Sequence, residues 1–301
     1  MRKISDRRKR QELRSIRYIV LMVIVTMGIM IFSASLIYDF NPNAEAHGIK
    51  VVRNLVPEPT PPPTPETVPE QVPEVIYEPE LTAEERRLIQ LDPNLPMIAL
   101  TFDDGPFART NEILDILEEH NVVATFYVIG NQVERHSDII LRAHNMGSEI
   151  ANHSWSHASF DRISDEYIHT QIYLTNAIVE SITGVSPTSI RPPYGRVNDN
   201  ARNITRDLGM SIMLWSVDPS DYLNRSPERI YNDVMNVLQD RDVILLHDLH
   251  ARTVDATRLL VPSLIERGFQ LVTVSELMYF SDITQEPGEV YRHARGDGRG
   301  W

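Results

Sequence analysis

The chain has 301 residues and no cysteine. Disulfide bonds, thiolate metal ligands and a cysteine nucleophile are therefore excluded, and a metal site would have to use histidine and carboxylate ligands. Positive charge is also scarce, because 29 Lys and Arg face 42 Asp and Glu, for a formal net charge of -13. Since so acidic a protein repels phosphate backbones, we expect no binding to nucleic acid.

Charge is absent altogether from residues 18–38. These 21 residues would span roughly 31 Å as a helix, which matches the hydrocarbon core of a bilayer. The basic segment before them, residues 1–17, predicts a cytoplasmic N-terminus and a single-pass membrane anchor with the rest of the chain outside. Ala44-Glu45-Ala46 leaves one alternative open, a signal peptide cleaved near Ala46 and a secreted protein.

Residues 39–94 are rich in proline and glutamate, a composition that cannot bury a core. They predict an extended extracytoplasmic linker. Residues 95–280 have the composition and patterning of a folded domain, and residues 281–301 form a tail whose role the sequence does not indicate.

Short apolar runs alternate with amphipathic stretches within the predicted domain, which indicates parallel strands joined by crossover helices. An open doubly wound sheet and a barrel both fit this periodicity. In either architecture the active site lies at the carboxyl ends of the strands. The predicted strands are 97–102, 123–129, 148–152, 188–191, 210–217, 242–247 and 269–274, and the predicted helices lie near 109–120, 132–146, 165–183, 198–208, 226–239 and 254–267.

Polar side chains follow several of these strands. The first ends in TFDDGP, which contains Asp103 and Asp104, and the third is followed by HSWSH, which contains His153 and His157. We expect the two histidines on one helical turn, facing the same way. With Asp104 they form the three-ligand pattern of a catalytic zinc site. The simpler alternatives are a hydrogen-bonded Asp-Asp-Gly turn and a solvated histidine pair.

Three later strands end in RPPYG from Arg191, in DPSDY up to Tyr222, and in LLHD around His247. Arg191 alone could form an ordinary salt bridge, and His247 alone could be a core histidine. Since all five motifs fall at the same predicted end of successive strands, a shared site is the better interpretation.

In this order the five motifs resemble the polysaccharide deacetylase family, the NodB-homology domain of carbohydrate esterase family 4, over residues 95–280. The resemblance implies a distorted (β/α) barrel with about seven parallel strands, here preceded by one transmembrane helix and a Pro-rich linker. It implies that Asp104, His153 and His157 bind a divalent metal, zinc first, with cobalt, nickel or manganese as alternatives. Asp103 matches the general base of the family.

The resemblance assigns the remaining roles as well. Arg191 matches the residue that tethers the base, and His247 matches the general acid. The resemblance also makes the backbone N–H of Tyr194 an oxyanion donor and Asp221 an orienting acid. Leu245 matches a wall of the acetyl-methyl pocket, and Tyr222 stands where the family often has tryptophan.

These features predict a monomeric hydrolase that removes N-acetyl groups from an extracellular polysaccharide. Peptidoglycan N-acetylglucosamine is the first choice of substrate, because the anchor and linker would place the domain near cell wall. An O-acetyl carbohydrate esterase and a non-catalytic glycan-binding module are the alternatives.

Overall fold

The computed structural model describes residues 83–299. The predicted basic segment, the membrane anchor, the alternative cleavage site and most of the predicted linker lie outside the described residues. Among residues 83–299 no helix has both the length and the apolarity needed to cross a bilayer.

Strands form wherever the sequence predicts one, because each apolar run is buried between neighbouring strands and covering helices. One further strand comes from the tail that the sequence left unassigned. The eight strands of the described region are β1 Met97–Asp103, β2 Thr125–Val128, β3 Glu149–Asn152, β4 Ser189–Ile190, β5 Ser211–Met213, β6 Val243–His247, β7 Gln270–Leu271 and β8 Val290–Tyr291.

Helices connect the strands, and several begin at a side chain that accepts a backbone N–H, such as Ser164, Ser226 and Thr273. The predicted helix 132–146 is split by a 3-10 turn at Glu134–His136. The helices of the described region are α1 Ala83–Gln90, α2 Ala108–Glu119, α3 Gly130–Val133, α4 Ser137–Asn145, α5 Asp165–Thr183, α6 Asp199–Asp207, α7 Pro227–Met235, α8 Ala251–Glu266 and α9 Val274–Phe280.

The strands form one curled sheet in the order β6-β1-β2-β3-β4-β5-β8, with β7 also paired to β1, and every strand pair is parallel. A parallel bridge between Val217 and Ile244 brings the chain after β5 back to β6. The sheet thus curls into a barrel-like shape. Because its strands are parallel, their carboxyl ends meet at one rim.

β1 is buried along its whole length. Phe102 packs in the core between the sheet and the helices, whereas Met97 and Ala99 pack in a second cluster on the other face of the strand. Since side chains alternate along a strand, Thr101 and Asp103 share the face of Met97 and Ala99. Burial on both faces explains the unbroken apolar run in the sequence, and the alternation turns Asp103 toward the inside of the curled sheet.

Candidate active site

The predicted site residues meet at the carboxyl rim of the sheet. Asp103 and His247 end their strands and are partners in the β1–β6 register. His153 and Arg191 directly follow β3 and β4, and the Arg191 N–H donates to the Asn152 carbonyl over 2.9 Å. Parallel pairing therefore brings together residues that are far apart in the sequence.

Asp104, His153 and His157 form a cluster whose ligand atoms lie within 4.8 Å of one another. Oδ1 of Asp104 is 3.2 Å from Nε2 of His157 and 3.5 Å from Nε2 of His153. Oδ1 is buried and has no hydrogen-bond partner within the described residues. An acceptor of this kind, facing two imidazole nitrogens, has the donor set of a divalent-metal site.

The tautomer of His153 supports this interpretation. Its Nδ1 lies 2.6 Å from the carbonyl oxygen of Arg191. Since a carbonyl only accepts, Nδ1 carries the proton, and Nε2 of the neutral ring turns a lone pair toward Asp104. A carboxylate oxygen and an imidazole lone pair that converge in this way need a cation or an added proton between them.

The histidine pair is not on a helical turn, so that expectation was wrong. The chain from His153 to His157 is a loop, in which Ser154 has φ 67° and His157 has φ 57°. These left-handed values are incompatible with a right-handed helix. The side chains of Asn152 and Gln171 hold the loop by accepting the N–H groups of Ser154 and Ser156, over 2.7 and 2.8 Å.

The charge balance keeps Asp104 ionised. Burial, the largest influence, favours its neutral form, but the neighbouring imidazoles of His153, His157 and His247 outweigh it and lower the pKa of Asp104 to about 2. Asp104 is therefore a carboxylate at every pH at which the fold is expected to work.

Asp103 has a different partner. Its Oδ1 accepts from Nη1 of Arg191 over 2.6 Å. Arg191 is fully buried, and it also donates to Thr101 Oγ1 and to the carbonyls of Met213 and Leu214 at 2.7 to 3.1 Å. So many donors satisfied by fixed acceptors hold the guanidinium, and hence Asp103, in one position.

His247 is held by Asp221, which is fully buried. Nδ1 of His247 lies 2.7 Å from Asp221 Oδ1, and Asp221 Oδ2 accepts the His247 backbone N–H and the Thr253 hydroxyl. Burial favours the neutral imidazole, but Asp221 and the negative charges of Asp103 and Asp104 outweigh it and raise the pKa of His247 to about 9. His247 is therefore protonated at neutral pH, as a general acid must be.

The remaining predicted residues border this centre. Tyr194 has φ 61°, its ring lies 4.6 Å from that of His157, and its backbone N–H has no acceptor within the described residues. Leu245 is buried on the same face of β6 as His247. Tyr222 is half exposed and packs edge-on against the His247 ring at 5.5 Å. The structure thus brings every predicted site residue to one rim, and their roles stay predictions.

Two further residues support the site and were missed from the sequence. Asp248 is buried and accepts the Thr110 hydroxyl over 2.6 Å, and burial raises its pKa to about 7. Arg252 donates from Nε to the Asp221 carbonyl over 2.7 Å. Asp248 belongs to the LLHD motif and could have been considered there, whereas nothing local singles out Arg252.

Known proteins share this architecture. The family model for polysaccharide deacetylase matches residues 91–213. The peptidoglycan-N-acetylmuramic acid deacetylase PdaC of Bacillus subtilis is 43% identical over 188 residues, 62% of this chain and 40% of that protein. Its solved structure matches with a TM-score of 0.62 and 42% identity, covering 64% of this chain and 94% of that one. This chain therefore spans about 40% of the length of that curated relative.

Two other matches cover nearly all of the related protein. A peptidoglycan-N-acetylglucosamine deacetylase of Bacillus cereus is 35% identical over 193 residues, 62% of this chain and 90% of that protein. A family 4 acetyl xylan esterase from Clostridium thermocellum, solved with a cobalt ion, matches with a TM-score of 0.63 and 32% identity, covering 66% of this chain and all of that one. The chain belongs to the polysaccharide deacetylase family.

Proposed function

We propose that this chain is a metal-dependent hydrolase that removes N-acetyl groups from an extracellular polysaccharide, with peptidoglycan N-acetylglucosamine as the first substrate. One observation carries the proposal. The cluster of Asp104, His153 and His157 lies beside Asp103, which Arg191 fixes, and the paired strand brings in His247. A base, an acid and a set of metal ligands therefore share one rim.

The residues fit a divalent metal. Asp104 offers a buried carboxylate oxygen without a hydrogen-bond partner, and His153 offers Nε2 as a lone pair. With His157 they would hold zinc or, with different affinity, cobalt, nickel or manganese. When bound, such a cation supplies Lewis acidity, which polarises an acetyl carbonyl and lowers the pKa of water.

Asp103 is placed to act as the base. Arg191 occupies Oδ1, which leaves Oδ2 on the side of the cluster, 3.6 Å from His153 Nε2. A water beside the cluster would transfer its proton to Oδ2 as it attacks the acetyl carbon. Arg191 would keep the carboxylate in position throughout and would not itself exchange a proton.

His247 is placed to complete the reaction. Because the pKa of His247 is raised to about 9, the ring is cationic at neutral pH; Nδ1 donates to Asp221, and Nε2 carries the proton that the departing amine needs. General acid catalysis of this kind contributes about 10²–10⁴-fold. The free N–H of Tyr194 would donate to the oxyanion, and Leu245 would face the acetyl methyl group. Tyr222 would form part of the groove wall beside His247.

A second substrate follows from the relatives. PdaC of Bacillus subtilis carries the name of an N-acetylmuramic acid deacetylase, whereas the Bacillus cereus relative carries that of an N-acetylglucosamine deacetylase. The acetyl xylan esterase suggests ester hydrolysis by the same centre. Both muramic acid and O-acetylated glycans therefore belong in the test.

The test is release of acetate from N-acetylglucosamine oligomers, N-acetylmuramic acid glycan and O-acetylated xylan by the purified chain. We expect release from N-acetylated peptidoglycan fragments, and none from a His153→Ala/His157→Ala double variant. Faster release from xylan would replace the amidase assignment by an esterase. Glycan binding without any release would point to a non-catalytic module.

We also propose that residues 18–38 hold the protein in the cell membrane as a monomer with its catalytic domain outside. The charge-free segment and the basic residues before it support this location. Membrane fractionation and N-terminal sequencing test it. A mature N-terminus directly after Ala46 would show secretion instead.

A further inference from the structure

A pocket adjoins the cluster of Asp104, His153 and His157. It has a volume of about 470 Å³, and its lining residues are Ser159, Arg162, Ile163, Tyr194 and Arg196. Tyr194 lines this pocket and also contacts the metal-ligand cluster, because its ring packs edge-on against His157 with the centroids 4.6 Å apart. A substrate whose acetamido group reached the cluster would therefore have a neighbouring sugar or substituent at this pocket.

The two arginines of the pocket are available for a ligand. Both are exposed, and neither guanidinium has an ion pair or hydrogen bond within the described residues. Some other arginines of the domain are paired, as Arg142 is with Asp115 and Glu118. A guanidinium fork matches the two oxygens of a carboxylate, so an open pair of them favours an anionic ligand.

One carboxylate already lies near this pair. Asp161 is held by the Ser159 hydroxyl over 2.5 Å. That hydrogen bond lowers the pKa of Asp161 most, and the positive charges of Arg196 and Arg162 lower it further. The positive charges of both arginines therefore act on Asp161 beside the pocket. With two cations and one anion the pocket keeps a net positive charge.

The rest of the molecule makes this local charge informative. Residues 1–17 sum to +6, so the remainder of a chain with net charge -13 sums to -19. A chain of this net charge repels an acidic glycan before contact, within the range that salt leaves unscreened. A neutral oligosaccharide meets no repulsion and needs no cationic subsite. Two arginines that line one pocket beside the centre are thus suited to an acidic substrate.

We propose that Arg162 and Arg196 form a carboxylate-binding subsite that selects acidic N-acetylated glycans over neutral ones. The inference rests on the proposed deacetylase function and specifies the substrate class of the same site. In peptidoglycan the carboxylate has two sources, the lactyl group of muramic acid and the peptide attached to it.

The experiment compares four substrates with the full chain. They are a neutral N-acetylglucosamine tetramer, a muramic acid-containing tetramer with a free lactyl carboxylate, the same tetramer with an attached peptide bearing free carboxylates, and its fully amidated form. The variants are Arg162→Gln, Arg196→Gln and their combination. Arg258→Gln, which removes an exposed charge on α8 outside the pocket, is the matched control.

We expect the double variant to lower kcat/KM on a carboxylate-bearing glycan by about 10- to 100-fold, the range of a charge-assisted hydrogen bond. Its kcat/KM on the neutral and amidated glycans should be unchanged, and Arg258→Gln should match the parent chain on all four. A loss confined to the free lactyl form identifies that group as the ligand, and a loss confined to the peptide form identifies the peptide. Equal losses on acidic and neutral glycans, or no loss at all, would overturn the subsite.

Binding of acidic glycan to the Asp103→Asn variant, measured beside acetate release by the parent chain, separates this proposal from the catalytic one. If the parent chain releases no acetate but Asp103→Asn binds acidic glycan through the arginines, the subsite stands and the deacetylase function falls. If acetate is released equally well with and without the carboxylate and the arginines, the deacetylase stands and the subsite falls.

Discussion

Asp103 and Asp104 are neighbours in the chain, yet their carboxylates have different surroundings. Oδ1 of Asp103 is bound by Arg191, whereas Oδ1 of Asp104 faces the imidazoles of His153 and His157. Asp104 has a left-handed backbone, with φ 78°, and the remaining oxygen of Asp103 lies 3.6 Å from the same His153 Nε2 that Asp104 approaches to 3.5 Å. Two chemically identical side chains can thus serve as base and as metal ligand.

Substitution of these residues should separate the two roles. Asp103→Asn keeps the shape and removes the proton acceptor, so we expect kcat to fall by about 10²–10⁴-fold with metal content unchanged. His153→Ala should lose metal and activity together. Metal analysis beside an acetate-release assay checks both, and near-normal turnover by Asp103→Asn would show that another group is the base.

The pair of Asp221 and His247 predicts a pH effect. The raised pKa of about 9 means that the pair stabilises the fold fully below the ordinary histidine pKa of 6.5, and that this stabilisation is lost as pH rises through about 9. In metal-free protein the His247 ring should titrate near 9 by NMR, and Asp221→Asn should lower that value. Titration near 6.5 in the parent chain would contradict the pairing.

Among the elements, the turn after β1 depends on a close approach to β6. A Cβ on Gly105 would overlap Oδ2 of Asp248, the carboxyl that accepts from Thr110. Only glycine leaves room for this contact, so the metal-ligand turn is placed by packing as well as by its own sequence.

Gly105→Ala should therefore displace the turn, lower the free energy of unfolding by about 1–3 kcal/mol, and reduce metal affinity. Gly209→Ala, at a left-handed φ of 72° with no neighbour within 4 Å, shows the cost of backbone strain without a clash. Asp248→Ala should lower the free energy of unfolding by less in the Gly105→Ala background than in the parent chain, as urea unfolding would show. Additive losses would mean that the two residues do not interact.

The strands and most helices could be predicted because their signals are local: apolar runs, a serine cap at Ser226, and glycines after helices such as Gly184, with φ 75°. The HSWSH loop could not, since its shape depends on the left-handed Ser154 and on a hydrogen bond from the Ser156 N–H to the side chain of Gln171. β8 has two residues, and its pairing with β5 has no local signature.

For the molecule as a whole, the tail belongs to the fold. Tyr291 of β8 is buried in the same cluster as Met97 and Ala99. Its hydroxyl accepts the Glu286 N–H over 2.9 Å and donates to the Thr284 carbonyl over 3.1 Å. Arg295 pairs with the buried Asp242, which precedes β6. Residues that the sequence left unassigned thus cover one edge of the sheet.

Tyr291→Ala should lower the free energy of unfolding by about 3–5 kcal/mol, as is usual for a buried aromatic residue. Tyr173→Ala, at an exposed position on α5, should change it by no more than about 0.5 kcal/mol. Urea denaturation of the two variants measures the difference. Equal stability would show that the tail packs only loosely.

Metal titration tests the central claim most directly. Chelator-treated full chain is titrated with Zn²⁺ while acetate release from an N-acetylated peptidoglycan fragment is measured. Since Asp104, His153 and His157 form the metal-ligand cluster found among the described residues, we expect activity to return in proportion to metal and to saturate at one equivalent. Full activity of the metal-free chain, or restoration in His153→Ala as complete as in the parent chain, would contradict the claim.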